Sequence, residues 1–281
     1  MGEAWSWMRE AVLAGGLIAT LITVLVLMTG SWPPMVVIES NSMQHDTNGE
    51  VGSIDAGDLV LVMSNEQKNI ITFAEATEEG GLYEGYVNHG MPGDVIIYQK
   101  NGGIDTPVIH RAILEIVANP SGGWDAPGTT LRNVTTITWT FDILCPFHGG
   151  EYNLKVEDWN PVHAGYLTMG DNNDCMIDQP AANAQSQGSG LSATNSDGTV
   201  GPVQTVKEEW VVGVAGAEIP WVGAIKLGLS NNSDAVPSSA WTKLTFTAII
   251  LLAIPAIWER VANRVMETAP EVDQARLEEE E

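Results

Sequence analysis

A long apolar stretch near the N-terminus is the clearest feature of the hydrophobic pattern. No charged residue lies between Glu10 and Glu39, and residues 11–28 are almost wholly apolar. A helix of this length crosses the roughly 30 Å hydrocarbon core of a membrane. We therefore predict a transmembrane helix within residues 1–35. A cleaved signal peptide is the alternative, but the residues before the stretch carry Glu3 and Glu10 beside a single Arg9, and no small-residue cleavage pattern follows the stretch.

A shorter apolar stretch lies near the C-terminus. Residues 244–258 carry no charge and are flanked by tryptophan and by basic residues, as is typical of a membrane interface. The stretch is short for a full crossing, so we expect either a second transmembrane helix or an interfacial helix at residues 236–262, followed by an acidic tail at 263–281. If both helices cross, the positive-inside rule places the intervening region on the extracytoplasmic face.

The region between the two apolar stretches has a β-type pattern. Short runs of β-branched and apolar residues alternate with clusters of Gly, Pro, Asn and Asp, and helical periodicity is weak. We predict a mainly β domain over residues 36–235. Five runs predict strands, at residues 58–63, 94–98, 108–117, 135–141 and 210–217. Residues 181–201, rich in Ser, Gly, Asn and Ala, are expected to form a mobile surface loop.

The charge of the chain limits the classes of partner. There are 36 acidic and 12 basic residues, which gives a formal net charge of -24. Binding to nucleic acid depends on clustered Lys and Arg, so DNA and RNA are excluded as expected partners. The acidic residues are spread along the chain, which suits a protein kept soluble at high salt. An ordinary acidic surface is the alternative explanation.

Three kinds of side chain suggest chemistry. Ser42 lies shortly after the predicted membrane helix, and His110 lies in a predicted strand. A serine hydroxyl is a weak nucleophile near neutral pH and needs a base within hydrogen-bond reach. Asp171, Asp174 and Asp178 lie in the turn-forming run GDNNDCMIDQ, where a carboxylate could orient an imidazole. The same run is also compatible with Asx turns or with a calcium-binding loop.

Taken together, several motifs resemble type I signal peptidases, specifically the archaeal and endoplasmic-reticulum branch. That branch has histidine before arginine where the bacterial branch has lysine. The resemblance extends from residue 11 to about residue 227. The matching motifs, in chain order, are SM at 42–43, Gly-Asp-apolar turns at 57–62 and 93–98, HR at 110–111, GDNN at 170–173, and WVVGVA at 210–215 followed by IPWVG at 219–223.

The resemblance implies a role for each matching residue. Ser42 corresponds to the nucleophile and His110 to the general base. The aspartate that completes the triad is expected a few residues after the GDN aspartate, but this chain departs from the pattern by about one inserted residue. Asp178 is the best match and Asp174 the reserve candidate.

Further residues are assigned by the same resemblance. Asp171 would be a supporting carboxylate, and the Ser40 hydroxyl would help to form the oxyanion hole. His45 stands where the family commonly has proline, so the entrance to the site is expected to differ. His45 is also a second candidate base, ranked below His110 because Arg111 follows His110 as it does in the family.

The resemblance implies a membrane-bound serine endopeptidase that removes signal peptides from secreted preproteins by cutting after small residues. The implied partners are these preproteins, by inference the secretion channel, and the lipid bilayer, with no cofactor or metal ion. The implied location is the cell membrane, with the catalytic domain on the extracytoplasmic face. The alternative is a non-catalytic, membrane-tethered β domain that serves as an accessory or binding protein.

The chain has two cysteines, Cys145 and Cys175. On an oxidising face they could form a disulfide that ties the aspartate-rich run to a middle strand. Two free buried thiols are the alternative. A zinc site that adds His148 and His163 is also conceivable, although the spacing matches no familiar finger.

Overall fold

The structure, a computed structural model, describes residues 2–144, 153–180, 191–230 and 232–267. The chain divides into two compact units, residues 1–240 and residues 241–281. The predicted β domain lies within the first unit. The architecture is mixed α/β, with many antiparallel strands.

Four α-helices are present among the described residues: α1 (Gly2–Thr29), α2 (Phe73–Thr77), α3 (Ala224–Leu229) and α4 (Ser238–Glu267). Helix α2 begins at a capping box, in which the Thr72 hydroxyl accepts the Glu75 N–H and the Glu75 carboxylate accepts the Thr72 N–H. Neither α2 nor α3 was predicted, because helices of five or six residues are too short to show a helical period.

Two of the helices are long and apolar enough to cross a membrane. The N-terminal one spans Trp5–Thr29, and its apolar window is 0% buried within the protein. The C-terminal one spans 27 residues, Ser238–Arg264, close to the helix expected at residues 236–262 and longer than the uncharged stretch at residues 244–258. The helix continues through the flanking polar residues, because neither flank contains a glycine or proline that would end it.

Thirteen strands lie in the described part of the first unit. They are β1 (Met35–Val37), β2 (Leu59–Met63), β3 (Val87–Asn88), β4 (Met91–Pro92), β5 (Val95–Tyr98), β6 (Val108–Ala118), β7 (Trp124–Asp125), β8 (Ile137–Leu144), β9 (Asn153–Trp159), β10 (Gly165–Met169), β11 (Ser192–Thr194), β12 (Val200–Pro202) and β13 (Val211–Ile219).

The main sheet has seven strands in the order β1-β2-β13-β5-β6-β10, with β7 also paired to β6, and its strand pairs are antiparallel. The pairs β3–β4, β8–β9 and β11–β12 form three small separate sheets. Each of the five predicted runs contains a strand. The predicted surface loop at residues 181–201 is wrong in its second half, because β11 and β12 form an antiparallel hairpin there; residues 181–190 lie outside the described part.

The main sheet is covered on both faces. Strands β5 and β10 are buried at every residue, as expected for strands packed on two sides. One apolar cluster includes Ile96 and Tyr98, and another includes Leu114, Leu167 and Met169. Strands β5, β6 and β10 are therefore neighbouring, largely buried strands at one end of the main sheet.

Candidate active site

Ser42 lies on the segment that follows β1, and the GDNN loop holds its backbone in place. The Asn172 N–H donates to the Ser42 carbonyl at 2.8 Å, and the Asn172 side-chain amide donates to the Asn41 carbonyl at 2.8 Å. Gly170 is needed for this close approach, because a Cβ at that position would lie 2.7 Å from the Ser42 carbonyl oxygen. Ser42 itself is half-buried.

The Ser42 hydroxyl meets His110, which is 68 residues away in sequence. The distance from Ser42 Oγ to His110 Nε2 is 3.0 Å. The other ring nitrogen, Nδ1, lies 2.6 Å from Oδ2 of Asp178. The backbone N–H of Asp178 donates to the carbonyl of Thr168, which lies in β10. His110 is buried on β6 opposite Ile96 of β5, so sheet packing fixes the orientation of its ring.

The carboxylate of Asp178 is fully buried and has further donors. The Thr168 hydroxyl donates to its Oδ2 at 2.7 Å, and the Tyr98 hydroxyl donates to the same atom at 3.0 Å. Burial and the negative charge of Asp178 raise the pKa of Tyr98 well above its ordinary value, so the phenol keeps its proton. The sequence analysis missed both residues. Thr168 stands two positions before the GDNN motif, and Tyr98 ends a predicted strand, but neither position identifies a partner.

Arg111 follows His110 on β6 and points to the other face of the strand, as the two-residue period requires. Its guanidinium makes a two-pronged ion pair with Asp171, with Nε to Oδ1 at 2.8 Å and a terminal nitrogen to Oδ2 at 2.6 Å. The same guanidinium donates to the carbonyls of Asn88, His89 and Gly93. Asp171, which was expected to be a supporting carboxylate, thus forms a buried ion pair that joins the GDNN loop to the turn before β5.

Two opposing effects act on the pKa of Asp171. Burial by itself raises the pKa of a carboxyl group, but the charge of Arg111 and the bonds from Arg111 and His45 outweigh it, so the pKa of Asp171 is lowered. The His45 ring nitrogen Nε2 lies 2.8 Å from Asp171 Oδ2. His45, the second candidate base, therefore binds Asp171, whereas His110 is the histidine bonded to the Ser42 hydroxyl.

The remaining candidate residues lie around the same loop. Ser40 Oγ is 3.3 Å from Ser42 Oγ, and Ser40 is exposed. Asp174 is exposed and has a positive φ of 50°, while Asp178 is the carboxylate bonded to His110. The geometry thus favours Asp178 over Asp174 as the partner of the histidine.

The contacts of the aspartate-rich run bear on two alternatives, a free Cys175 thiol and a metal-ion site. Cys175 is disulfide-bonded, so it is not a free thiol; Cys145 and His148 lie outside the described residues. Within the described part of the chain, no group of three or more His, Cys, Asp or Glu side chains is arranged to hold a metal ion. Asp171 and Asp178 bind Arg111 and His110, on different strand faces, and do not converge on one point.

The arrangement places a hydroxyl, an imidazole and a carboxylate in hydrogen-bond sequence. The Nε2 atom of His110 is within hydrogen-bond reach of the Ser42 hydroxyl and can take its proton. The buried carboxylate of Asp178 orients the ring and can stabilise the imidazolium ion that forms.

In comparisons with known proteins, no family model, no curated protein and no solved structure matches this chain.

Proposed function

We propose that this chain is a membrane-bound serine endopeptidase that removes signal peptides from secreted preproteins. The observation that carries the proposal is the continuous relay from Ser42 Oγ through the His110 ring to Asp178 Oδ2, with separations of 3.0 and 2.6 Å. These residues come from three distant parts of the sequence. The motif order described above supports the assignment to a signal-peptidase-like fold of the archaeal and endoplasmic-reticulum branch.

The chemistry proceeds in two halves. In the first, the Ser42 oxygen attacks the scissile carbonyl carbon, His110 takes the hydroxyl proton, and the proton then passes to the leaving amine as the peptide bond breaks. In the second, a water molecule gives a proton to His110 and its oxygen attacks the acyl-enzyme ester. The proton returns to Ser42 Oγ when the ester bond breaks. Asp178 stays ionised throughout and stabilises the imidazolium ion.

The substrate class follows from the surroundings of the serine. Ser42 lies a short distance along the chain from the end of α1, which is long and apolar enough to cross a membrane. An enzyme anchored in this way meets peptide bonds just outside the membrane, which is where a signal peptide is cut. A shared membrane also raises the effective concentration of enzyme and substrate.

Strand β1 offers a way to bind the substrate backbone. It is the last strand in the order of the main sheet, and it leads directly into the segment that carries Ser40 and Ser42. An extended peptide can add to such an edge by main-chain hydrogen bonds, which leaves side-chain pockets to select small residues. We propose that residues preceding the cut bind along this edge, on the extracytoplasmic face of the cell membrane.

Cleavage of a preprotein by the purified, detergent-solubilised protein tests the proposal, at both high and low salt because of the acidic composition. Wild type is expected to cut once, after a small residue, while Ser42→Ala and His110→Ala are inactive. Ser121→Ala changes an exposed loop serine outside the site and is the matched control, with full activity expected. Cleavage that survives in Ser42→Ala would return the chain to the accessory or binding class.

A further inference from the structure

The loop between β7 and β8 carries a short motif that the proposed chemistry does not use. Residues 133–135 read Asn-Val-Thr, which is the Asn-x-Ser/Thr pattern of an acceptor for N-linked sugars when x is not proline. Residues 231–233 form a second such pattern, but residue 231 lies outside the described part of the chain. The pattern alone is common, so the surroundings of Asn133 decide whether it can be used.

The structure presents both ends of the motif to solvent. Asn133 and Thr135 are exposed, whereas Val134 between them is half-buried and packs against the apolar cluster that includes Leu114. The Val134 N–H donates to the Trp124 carbonyl at 3.0 Å, and the Trp124 N–H donates to the Val134 carbonyl at 2.8 Å. The loop is therefore held by its middle residue, which leaves the two outer side chains on the solvent side.

The backbone of Asn133 is fixed without the use of its side chain. Its N–H donates to Asp125 Oδ1 at 2.7 Å, and its φ is 54°, in the left-handed region that asparagine adopts more readily than most residues. Within the described part of the chain, the Asn133 side chain makes no hydrogen bond. Asn119, in the sequence Asn-Pro-Ser, differs because Pro120 follows it and its amide donates to both carboxylate oxygens of Asp125.

We propose that Asn133 is an N-glycosylation site that carries an oligosaccharide on the extracytoplasmic face. The inference rests on the membrane orientation that is part of the function proposed above, since the loop lies between the two helices that are long and apolar enough to cross. The donor is an oligosaccharide linked through phosphate to a polyprenol lipid, and a separate membrane transferase catalyses the step. Asn133 Nδ2 bonds to C1 of the first sugar, the bond from C1 to the phosphate oxygen breaks, and the proton lost from Nδ2 goes to the departing phosphate.

The glycan is expected to lie far from the candidate catalytic residues. Asp125, which binds the Asn133 N–H, pairs with Val117 of β6, and His110 lies seven residues earlier on the same strand. At about 3.3 Å per residue, this separates the two positions by roughly 20 Å along β6. Strand β1, the edge proposed to bind substrate, is at the opposite end of the strand order from β6 and β10. Asn133→Gln is therefore expected to leave preprotein cleavage unchanged.

The test is translation of the full chain into endoplasmic-reticulum microsomes, which contain the transferase and its donor. The Asn231→Gln background leaves one natural pattern, and one glycan is expected, seen as a single mobility step that a peptide N-glycosidase removes. Asn133→Gln and Thr135→Ala are each expected to abolish the step, because the acceptor pattern needs both the amide and the hydroxyl. Thr135→Ser keeps the hydroxyl, and Thr136→Ala changes the exposed neighbour outside the pattern, so both are expected to keep the glycan.

A second acceptor separates the site from the orientation of the chain. Asp197→Asn turns residues 197–199 into Asn-Gly-Thr on the exposed loop between β11 and β12, and it is tested with Asn133 and Asn231 replaced by Gln. A glycan at position 197, with none at Asn133 in its own background, would overturn the inference and leave the extracytoplasmic orientation standing. No glycan at either position would overturn the inference and contradict that orientation as well.

The glycan assay does not depend on turnover. A chain that is glycosylated at Asn133 but cleaves no preprotein would support the inference and refute the proposed peptidase function. A chain that cleaves preprotein, and accepts a glycan at position 197 but not at Asn133, would do the reverse.

Discussion

Arg111 and Asp171 form an ion pair in which both side chains are 0% exposed. Arg111 directly follows the candidate base His110, and Asp171 directly precedes Asn172, whose N–H binds the Ser42 carbonyl. The pair therefore fixes two loops of the site to one strand. Its geometry is the two-pronged arrangement that arginine makes with a carboxylate.

Loss of either partner leaves a buried charge without compensation. Asp171→Asn and Arg111→Met are each expected to lower the free energy of unfolding by about 3–5 kcal/mol. The measurement is chemical denaturation in detergent, with Glu39→Gln as the control, because Glu39 pairs with Lys226 at an exposed site. Equal, small effects for the buried and the exposed pair would contradict the structural role of Arg111 and Asp171.

The close approach of Gly170 to Ser42 predicts a sensitive position. Gly170→Ala would bring a methyl group to 2.7 Å from the Ser42 carbonyl oxygen, so the GDNN loop and the serine segment must move apart. Displacement of the nucleophile by about 1 Å is expected to reduce cleavage about 100-fold. Gly201→Ala is the matched control, since its Cβ would meet only the Asn195 amide at 3.7 Å. Full activity in Gly170→Ala would show that the loop contact does not position Ser42.

Ser40 is expected to contribute to catalysis without being essential. Its hydroxyl is 3.3 Å from Ser42 Oγ, so we expect it to lie near the substrate oxygen that gains charge during the attack. Removal of one such donor typically reduces kcat by about 100-fold or more, so Ser40→Ala is expected to keep a measurable rate that Ser42→Ala lacks. Ser40→Thr retains a hydroxyl and should recover part of the rate. An unchanged kcat in Ser40→Ala would remove Ser40 from the site.

Asp58 predicts a pH dependence of stability. Burial is the main cause that raises the pKa of Asp58 from 3.8 to about 6, while hydrogen bonds from the backbone N–H groups of Trp221 and Asp55 act to lower it. Between these values the folded chain binds more protons than the unfolded chain, so the contribution of Asp58 to stability is present below pH 4 and is lost as the pH rises through 6.

The measurement for this prediction is the free energy of unfolding of wild type and of Asp58→Asn, which cannot ionise at this position. The difference, wild type minus variant, is expected to fall by about 3 kcal/mol between pH 4 and pH 7, since the pKa difference is near two units. Asp234→Asn changes an exposed aspartate and serves as the control. A difference that is constant with pH would show that burial does not raise the pKa of Asp58.

The parts of this protein that could be predicted from the sequence are those that depend on local pattern. The apolar stretch at residues 11–28 predicted α1, and the five β-type runs each contain a strand, because hydrophobicity and a two-residue period act over neighbouring residues. The uncharged stretch at residues 244–258 and its flanking tryptophan and basic residues predicted the C-terminal helix at residues 236–262, within two residues of each end of the apolar span Ser238–Arg264. The hairpin of β11 and β12 was missed because its residues are mostly small and polar.

The arrangement of the site depended on the folded chain. Sequence motifs named Ser42 and His110 as candidates but left Asp174 and Asp178 open, because the choice depends on which residue the loop brings beside β10. The donors Tyr98 and Thr168 carry no motif of their own, and they reach Asp178 only through the register of β5, β6 and β10. Local sequence determines which segments become helix or strand, while contacts between residues far apart in the chain require the packing of the whole unit.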